Sequence, residues 1–540
     1  MAVADRDQEV VRREAARRRT FAIISHPDAG KTTLTEKLLL YGGAVREAGQ
    51  VQARGGRANA VSDWTELEQS RGISVTSTVL RFEHDDVVLN LLDTPGHRDF
   101  SEDTMRVLAA ADCAVILLDV ARGVQEQTRM LFEVARARGV PLITFVNKCD
   151  RPGMEPLEML DHIERELGLA AAPMSWPVGD PGALVGLLDR REDRMLRLFR
   201  TPRGSLQAPE VDVSVDLLDS SERVVWERAA AELELVEGAG SAFSLERFLD
   251  GRCTPVLFGS AMWTFGVRQL LQLIVDLAPP PGARRLRDGT VRPVDAPFSG
   301  LVFKVQANLD PRHRDQLAYV RVCSGRFERG MRARIARTGR VAALTHAHDV
   351  FGRDREPLSE AFPGDVVGIS GVPGILVGDT LVDGDPAAFE PIPTLVPDHL
   401  RTARPREASR RKQFVRGLEQ LDAEGVVHVL RRTSVDDPVP VLGAVGDLQF
   451  EVLVHRMASE FGCPIELSST PWRLTRRIDD TAEPTTVAGT EVLVRRDGTL
   501  LAAFADTYRM ERFAAANPGV SLSRLGVRGV APDAAAHARR

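Results

Sequence analysis

Short apolar runs alternate with longer amphipathic stretches over the first half of the chain. Each run is long enough for one buried strand, and each intervening stretch can supply a helix that returns to the next strand. This alternation is typical of βαβ units around a parallel sheet. It predicts an α/β domain over residues 1–283, with its clearest buried strands at residues 21–25, 87–92, 113–118 and 142–146.

The hydrophobic pattern changes after the cluster Pro279-Pro280-Pro281-Gly282, whose composition is typical of a linker. Residues 284–390 contain short apolar runs, at 300–305, 317–322 and 364–369, separated by glycine and proline. Short strands with frequent turn residues predict a small β-barrel in this part of the chain.

Helical and strand patterns mix over residues 391–540, which predicts an α+β domain. Phe414, Leu418 and Leu421 lie at helical spacing, and an Asp497-Gly498 turn between two apolar runs predicts a hairpin. The predicted helices cover 410–421, 448–460 and 508–516, and the predicted strands cover 425–430, 438–445, 492–494 and 499–504. The fold class expected from the whole chain is therefore multidomain.

The composition agrees with three domains of an ordinary globular protein. The chain has 540 residues, of which 43% are hydrophobic and 27% charged, and a single core stops growing at roughly 250 to 300 residues. The net charge of −6 argues against phosphate binding over the whole surface, so any contact with RNA must be local.

The location of the protein also follows from its composition. The five cysteines form no C-x-x-C pair, which fits a reducing compartment and predicts neither a disulfide framework nor a metal site. Residues 1–20 lack the apolar core of a secretory signal, and the apolar runs are too short to span a membrane. We expect a cytoplasmic protein whose partners include neither membrane nor DNA.

Residues 25–32 follow a predicted strand and precede a predicted helix, which is the context of a phosphate-binding loop. They depart from G-x-x-x-x-G-K-[ST] at the first position, where Ser25 replaces glycine. Amide groups at a helix N-terminus cradle phosphate oxygens, Lys31 adds positive charge on the β- and γ-phosphates, and the Thr32 hydroxyl can bind Mg²⁺. A glycine turn with a surface lysine is the alternative. The residues predicted to bind phosphate are Ser25, His26, Pro27, Asp28, Ala29, Gly30, Lys31, Thr32 and Thr33.

Three further motifs follow predicted strands, at residues 93–96, 147–150 and 259–261. The Asp93 carboxylate can reach the Mg²⁺ shell. The Asp150 carboxylate can accept from the N1–H and 2-amino groups of guanine, and the N–H groups of Ser260 and Ala261 can back the base. Each motif alone could be an ordinary strand-end turn. The residues predicted to bind nucleotide here are Asp93, Thr94, Pro95, Gly96, Asn147, Lys148, Cys149, Asp150, Ser260 and Ala261.

The order and placement of the four motifs favour a common site. All four lie at the carboxyl ends of predicted parallel strands, which is the edge where open α/β sheets bind ligands. Together they predict a GTP site in a P-loop GTPase domain. Ser260 lies 113 positions after Asn147, whereas one βα unit needs only about 30 residues. Residues 177–241 are therefore expected to form an insert packed on this domain.

Two segments resemble the switches of translational GTPases. Residues 62–75, which include Ser74, are similar to the first switch, and residues 93–97, which end in His97, are similar to the second. Within this superfamily, residues 25–32, 175–179, 307–315 and 443–450 resemble the release factor 3 family. The likeness runs from about residue 18 to residue 461, and from Asp480 onward the sequence departs from the family pattern. Elongation factor G shares the first domains but carries further carboxyl-terminal domains, for which 540 residues leave no room.

The resemblance implies a ribosome-stimulated GTPase of translation termination. The implied partners are GTP and GDP, the ribosome including its RNA, and a class I peptide chain release factor that the protein expels after peptide release. Two alternatives stay open: a nucleotide-gated ribosome-binding regulator without productive hydrolysis, and an elongation factor G-like GTPase.

The resemblance also implies roles for individual residues. His97 and Lys31 are the implied catalytic residues, with His97 orienting or polarising the attacking water. Ser74 joins the Mg²⁺ ligands, and Asp28 holds a monovalent cation near the phosphates. The complete implied Mg²⁺ set is Thr32, Ser74 and, through water, Asp93.

Overall fold

The structure is a computed structural model of the chain. It describes residues 2–43, 77–192, 194–199, 211–238, 240–307, 316–350, 356–385, 387–433, 439–478, 484–485 and 487–523. The predicted first switch, including Ser74, lies outside the described residues, as do residues 308–315.

Strands and helices alternate through the first part of the chain. The strands are β1 (Arg18–Ser25), β2 (Thr78–His84), β3 (Val87–Asp93), β4 (Cys113–Asp119), β5 (Leu142–Asn147), β6 (Ala170–Pro173), β7 (Ser175–Val178), β8 (Gly186–Asp189), β9 (Arg194–Arg197), β10 (Val211–Asp212) and β11 (Cys253–Phe258). The helices are α1 (Ala2–Ala16), α2 (Lys31–Tyr41), α3 (Ser101–Ala110), α4 (Glu126–Ala137), α5 (Pro156–Leu167), α6 (Ser220–Gly238), α7 (Leu245–Leu249) and α8 (Val267–Leu277).

The main sheet has the strand order β2-β3-β1-β4-β5-β11-β6, and only the β2–β3 pair is antiparallel among the described strands. Successive residues of a strand face opposite sides of the sheet. Ala22 and Ile24 accordingly pack with the apolar side chains of α3 and α4, whereas Phe21 and Ile23 pack with those of α2 and α8. Burial on both faces explains why these strands are continuous apolar runs in the sequence.

A second, antiparallel sheet of order β10-β9-β8-β7 lies between β6 and β11 in the chain, together with α6. Trp176 of β7 is fully buried and joins the small sheet to the main sheet and to α6. Its ring makes an edge contact with Phe258 of β11, at 5.8 Å between centroids, and its Nε1 donates to Glu232 of α6 at 3.1 Å. The small sheet is thereby packed against the end of the main sheet.

The middle of the chain consists of short strands around a core of its own. The strands are β12 (Arg284–Arg285), β13 (Val291–Arg292), β14 (Ser299–Ala307), β15 (Gln316–Ser324), β16 (Phe327–Glu328), β17 (Arg332–Ile335), β18 (Val341–Ala343), β19 (His346–Asp349), β20 (Glu356–Pro357), β21 (Glu360–Ala361), β22 (Val366–Ser370) and β23 (Thr380–Val382). The largest sheet has the order β18-β17-β23-β14-β15-β22-β19-β20 and encloses a core that includes Phe298, Val320 and Ile369.

A buried arginine joins this barrel-like part to the main sheet. Arg321 of β15 is fully buried, pairs with Asp112 and donates to the hydroxyl of Thr20 and to the carbonyl oxygen of Gly364. The Thr20 hydroxyl in turn donates to the Gly364 carbonyl at 2.8 Å. Breaking a buried ion pair leaves an uncompensated charge and costs about 3–5 kcal/mol, so these two parts are expected to move as one body.

The last part mixes helices and strands in one antiparallel sheet of order β27-β24-β26-β25-β29-β30-β28-β31, and the predicted multidomain fold class is confirmed. The strands are β24 (His399–Pro405), β25 (His428–Arg432), β26 (Val441–Ala444), β27 (Ile465–Ser469), β28 (Leu474–Ile478), β29 (Thr490–Val494), β30 (Leu500–Phe504) and β31 (Leu522–Ser523). The helices are α9 (Arg411–Glu424), α10 (Asp447–Ser459) and α11 (Thr507–Ala516).

One local prediction needs correction, and one helix was not predicted. The strand predicted at residues 425–430 begins only at His428, because Gly425 has a φ of 80° and ends α9 in the left-handed conformation that glycine adopts without strain. Residues 1–20 have no apolar run, yet Ala2–Ala16 form the helix α1, which buries Val11 and Ala15.

All five cysteines are free and buried. Burial raises the pKa of each thiol, to about 12 for Cys149. The thiols therefore pack as small apolar groups rather than react. Among the described helices, none has both the length and the apolar character needed to cross a membrane.

Candidate nucleotide-binding site

The four motifs identified in the sequence lie at one edge of the main sheet. They follow β1, β3, β5 and β11, which all run in the same direction. The loop of the first motif ends at Gly30, which has a φ of 97° and caps α2. A Cβ at Gly30 would lie 2.5 Å from Nδ2 of Asn147, so both its conformation and its surroundings require glycine.

Lys31 and Asp93 form a buried ion pair at the centre of this edge. Lys31 Nζ lies 2.7 Å from Asp93 Oδ1, and the two side chains are only 6% and 2% exposed. The hydroxyl of Thr35, one turn along α2, donates to the same carboxylate oxygen at 3.3 Å. Thr32 and Thr33 follow Lys31 in the first turn of α2. The cation predicted for phosphate and the carboxylate predicted for metal are therefore neighbours.

Asn147 connects two of the predicted motifs. Its Nδ2 donates to the carbonyl oxygen of Ala29 at 2.8 Å, and its Oδ1 accepts from the N–H of Ala261 at 2.8 Å. The N–H of Ser260 donates to the carbonyl oxygen of Phe265 at 3.0 Å. Both N–H groups have partners within the protein, and the contact predicted between Ser260, Ala261 and the base stays a prediction.

Lys148 lies across the phosphate-binding loop. Its φ of 65° is left-handed, its Nζ donates to the carbonyl oxygen of Asp28, and it pairs with Asp119 Oδ2 at 2.8 Å. Burial acts to raise the pKa of Asp119, but the hydrogen bonds from Lys148 and from the N–H of Ala121, together with the Lys148 charge, outweigh it and lower the pKa. Asp119 ends β4 at the same sheet edge as the other motifs, and this position was the signal that the sequence interpretation missed.

Asp150 has a partner that the sequence pattern did not suggest. Its Oδ2 accepts from the indole Nε1 of Trp263 at 3.1 Å. Cys149 between Lys148 and Asp150 is buried, and its N–H donates to the carbonyl oxygen of Gly259 at 3.1 Å. Trp263 therefore orients the carboxylate predicted to read guanine, although no motif marked it.

Two groups of the phosphate-binding loop lack partners. Among the described residues, neither ring nitrogen of His26 nor the hydroxyl of Ser25 has a hydrogen-bond partner, although these atoms are buried. Burial lowers the pKa of His26, which favours its neutral form. Pro27 and Asp28 are exposed at the tip of the loop, and Asp28 has a φ of 64°.

His97 follows the second motif and is about one third exposed. Thr94 anchors the preceding residues, since its hydroxyl donates to the carbonyl oxygen of Ile23 at 2.6 Å. The Nδ1 of His97 accepts from the N–H of Asp99 at 3.2 Å and lies 3.5 Å from the Asp99 carboxylate. Asp99 raises the pKa of His97. Pro95 and Gly96 complete the motif, and the Gly96 carbonyl accepts from Gln127 at 3.4 Å.

The structure describes the chain again from Ser77, two positions after the predicted first switch ends at residue 75. The N–H of Ser77 donates to Asp103 Oδ2 of α3 at 2.9 Å, and its carbonyl oxygen accepts from Lys304 of β14. Ser74 itself lies outside the described residues, so the Mg²⁺ role predicted for it stays a prediction.

Comparison with known families matches three successive parts of the chain. Residues 16–280 match the Elongation factor Tu GTP binding domain, residues 297–384 match Elongation factor G domain 2, and residues 389–514 match the Class II release factor RF3, C-terminal domain. A peptide chain release factor 3 of Gloeobacter violaceus is 49% identical over 471 residues, which cover 86% of this chain and 88% of the relative. The chain belongs to the release factor 3 family.

Another release factor 3, from Symbiobacterium thermophilum, is 44% identical over 93% of this chain and 97% of its own length. A crystal structure of a protein from Thermus thermophilus superposes with a TM-score of 0.67 at 25% identity, covering 88% of this chain and 72% of the other. The family pattern runs to residue 514, which corrects the expectation that it ends near Asp480. As a member of this family, the chain is a translational GTPase, an enzyme that acts on guanine nucleotide with the ribosome as its partner.

Proposed function

We propose that this GTPase promotes the dissociation of class I release factors from the ribosome after peptide release, in the cytoplasm. The observation that carries the proposal is the match of residues 389–514 to the class II release factor C-terminal domain, next to a complete GTPase domain in the same chain. Hydrolysis then resets a protein that rearranges the ribosome while it holds GTP.

GTP is proposed to bind at the edge where the four motifs meet. Lys31 and the amides at the start of α2 receive the phosphates, since this helix end offers N–H donors and a positive dipole. Asp150, held by Trp263, reads the N1–H and 2-amino groups of guanine. The proposed nucleotide contacts are those of residues 25–33, 93–97, 147–150 and 260–261, and the hydrogen bond from Ala261 to Asn147 also holds two of these loops together.

The residues present at this edge fit a magnesium ion. Asp93 offers a buried carboxylate, Thr32 offers a hydroxyl in the first turn of α2, and hard oxygen ligands are those that Mg²⁺ prefers. The partnerless Ser25 hydroxyl nearby also fits a site built for a polar ligand. Thr32 and Ser74 would hold the ion directly and Asp93 through water. The ion supplies charge neutralisation to the phosphate oxygens when it is bound.

A monovalent cation beside Asp28 fits less well. The ammonium of Lys148 already contacts the carbonyl oxygen of Asp28, and a second positive charge there would be repelled. The Asp28 carboxylate is exposed to solvent, so its attraction for a cation is screened. We therefore assign no step of the reaction to such an ion.

His97 is proposed to orient the water that attacks the γ-phosphate. Because the N–H of Asp99 donates to Nδ1, the neutral ring carries its proton on Nε2 and can donate from that side. Lys31 stabilises the charge that develops on the phosphate oxygens. We further propose that a ribosomal RNA phosphate attracts the His97 ring towards the water, which makes hydrolysis depend on the ribosome.

Contact with ribosomal RNA is proposed at a basic run near the start of the C-terminal part, which comprises Arg401, Arg404, Arg406, Arg410, Arg411 and Lys412. Arg401 pairs with Asp447 at 2.7 Å and Arg410 with Glu407 at 3.0 Å, so part of the run is used within the protein. Arg404, Arg411 and Lys412 are exposed and are the side chains proposed to meet phosphates.

The decisive experiment uses post-release ribosomes that carry a fluorescently labelled class I release factor. The protein is added with GTP, with GDP or with a non-hydrolysable GTP analogue, and the departure of the label is followed. Faster departure with GTP than with GDP is the expected result. Unchanged departure together with tRNA translocation would indicate an elongation factor G-like role. Unchanged departure together with tight binding to vacant ribosomes would indicate a regulator without productive hydrolysis.

A further inference from the structure

The turn that carries His97 is in direct contact with the C-terminal part of the chain. We call His97 and the 3-10 turn Arg98–Phe100 the catalytic turn, and α3 follows it directly. Phe100 packs with Leu448 and Val452 of α10, and the three form one buried apolar cluster. Two residues beyond Phe100, a carboxylate oxygen of Glu102 lies within hydrogen-bond distance of His428 Nε2, at 2.7 Å.

Asp99 links the His97 side chain to this contact. One carboxylate oxygen lies 3.5 Å from His97 Nδ1, and the other accepts from the backbone N–H of Leu448 at 2.9 Å. Leu448 is the second residue of α10, and the first four N–H groups of a helix have no partner within the helix. Asp99 thus caps a helix of another part of the chain, and its negative charge also faces the positive end of that helix dipole.

Gly446 shows how closely the two parts approach. It is the residue before α10, and a Cβ added to it would lie 2.0 Å from Cγ of Asp99. Its φ of −150° is open to any residue, so the requirement for glycine is one of space alone. Any larger residue at position 446 must displace the carboxylate that contacts His97.

The hydrogen bonds around Asp99 keep it in its charged form. Burial acts to raise the pKa of Asp99, but the interaction of its carboxylate with His97 and the hydrogen bond from the N–H of Leu448 outweigh it and lower the pKa. From the C-terminal part, His399 also faces this carboxylate and pairs with Asp447 at 3.7 Å. A charged Asp99 stabilises both the cap of α10 and the protonated form of His97.

We propose that Asp99 is the positioning residue of His97, through which α10 of the C-terminal part holds the catalytic turn in place. The inference rests on the proposed catalytic role of His97. It assigns to the C-terminal part a direct influence on the rate of hydrolysis, because any movement of α10 away from the turn withdraws the support of Asp99. A ring displaced by about 1 Å can lose roughly 100-fold in rate, so this support is sufficient to control turnover.

The test compares four variants of the full chain with the unmutated protein on ribosomes. Asp99→Ala removes the cap, Gly446→Ala displaces Asp99 from the opposite side, and Asp99→Asn keeps shape and one acceptor oxygen without the charge. Val454→Ala, on the exposed face of α10, is the matched control. We measure kcat, the ribosome concentration for half-maximal rate, GTP affinity, thermal unfolding, and the pH at which kcat is half-maximal.

Asp99→Ala and Gly446→Ala are expected to lower kcat by about 10- to 100-fold with unchanged GTP affinity, while Val454→Ala keeps the unmutated kcat. Asp99→Asn is expected to move the midpoint of the kcat–pH profile to lower pH, because His97 loses the charge that raises its pKa. Asp99→Asn keeps the test valid if either alanine variant fails to fold.

Folded Asp99→Ala and Gly446→Ala variants with unmutated kcat would overturn the inference. A defect confined to thermal unfolding or to ribosome affinity would also overturn it, if the midpoint of the kcat–pH profile does not move in Asp99→Asn. That pattern marks a structural role. His97→Ala is measured in parallel to separate the proposed catalytic role of His97 from the positioning role of Asp99. If His97→Ala keeps full turnover, the proposed catalytic role fails. If His97→Ala loses turnover and the Asp99 and Gly446 variants do not, only the positioning inference fails.

Discussion

Asn147 donates a hydrogen bond from its side-chain amide to the backbone oxygen of Ala29, which lies 118 positions earlier in the chain, at 2.8 Å. The same side chain accepts from the N–H of Ala261 at 2.8 Å. One residue of the base-reading motif therefore fixes the distance between the phosphate-binding loop and the last loop of the site.

Asn147→Ala is expected to weaken GTP and GDP binding alike, because it removes both hydrogen bonds without touching the phosphates. Two hydrogen bonds at about 1 kcal/mol each correspond to a roughly 30-fold rise in Kd. Isothermal titration with both nucleotides measures the effect. Gly30→Ala should cause the same defect, because its Cβ would meet Asn147 Nδ2 at 2.5 Å. Unaltered Kd values in Asn147→Ala would contradict the bridging role.

Asp150→Asn is expected to shift preference from guanine towards xanthine nucleotides. An amide at this position can donate to the carbonyl oxygen that replaces the 2-amino group, whereas it no longer accepts from both guanine donors. Competition between GTP and XTP for the protein gives the ratio of affinities. Retained preference for GTP over XTP, or equal binding of ATP and GTP in the unmutated protein, would remove Asp150 from the base-reading role.

Trp263→Phe is the companion change, since it keeps the ring and deletes the Nε1–H donor that lies 3.1 Å from Asp150. It is expected to weaken GTP by a few-fold, the effect of one hydrogen bond of about 1 kcal/mol, without a gain for XTP. A matched control is Met262→Ala, because the neighbouring Met262 is exposed. Equal affinity for GTP in Trp263→Phe and the unmutated protein would show that the indole does not orient the carboxylate.

His97→Ala is expected to bind GTP normally and to lose ribosome-stimulated hydrolysis by about 100- to 1000-fold, the usual loss for a preorganised transition-state donor. Multiple-turnover phosphate release with and without ribosomes measures both rates. Arg98→Ala, at the exposed neighbouring position, should keep the stimulated rate. Stimulated hydrolysis at the unmutated rate in His97→Ala would assign the chemistry to other groups.

Glu102→Gln is expected to lower the free energy of unfolding at pH 7 by about 3 kcal/mol, as is typical when one member of a buried charge cluster is neutralised. Glu102 is 2% exposed and faces Arg106 at 2.9 Å, His428 at 2.7 Å and Arg495 at 3.8 Å. Urea unfolding followed by circular dichroism gives the difference. The exposed Glu133→Gln is the control and should change stability by less than about 0.5 kcal/mol.

The same carboxylate predicts a pH dependence of stability. Burial acts to raise the pKa of Glu102, but His428 and Arg106 outweigh it and lower the pKa well below its usual range. Glutamate has a pKa of about 4.3 in the unfolded chain. Because the folded pKa is lower, charged Glu102 stabilises the fold above that pH, and this stabilisation is lost as the pH falls towards the folded pKa. Between about pH 5 and about pH 3, the free energy of unfolding should therefore fall more in the unmutated protein than in Glu102→Gln. Parallel acid profiles of the two proteins would contradict this assignment.

The main sheet and its loop motifs were predictable because each is encoded locally. A strand buried on both faces must be a continuous apolar run, and the polar motif that follows it lies at the carboxyl edge whatever the rest of the chain does. The helix α9 and the hairpin at Asp497-Gly498 were predictable for the same reason, since periodicity and turn chemistry involve only near neighbours.

Contacts between distant residues were not predictable in this way. The pairs Trp263–Asp150, Lys148–Asp119 and Asp99–Leu448 join positions far apart in the chain, and no residue pattern marks them. The N–H groups of Ser260 and Ala261 were assigned to the base because motif order shows which loop is near, but not which partner each donor takes. These partners follow only from the packed structure, where most buried donors find an acceptor.

The buried cysteines give this protein a practical advantage for measurements of movement. Because Cys113, Cys149, Cys253, Cys323 and Cys463 are all buried with raised thiol pKa values, maleimide dyes at neutral pH will react slowly with them. One cysteine introduced at exposed Arg98 and another at exposed Val454 would then carry a donor and acceptor pair in the otherwise native sequence. Fluorescence energy transfer between them would report, in real time on the ribosome, when the C-terminal part leaves the catalytic turn.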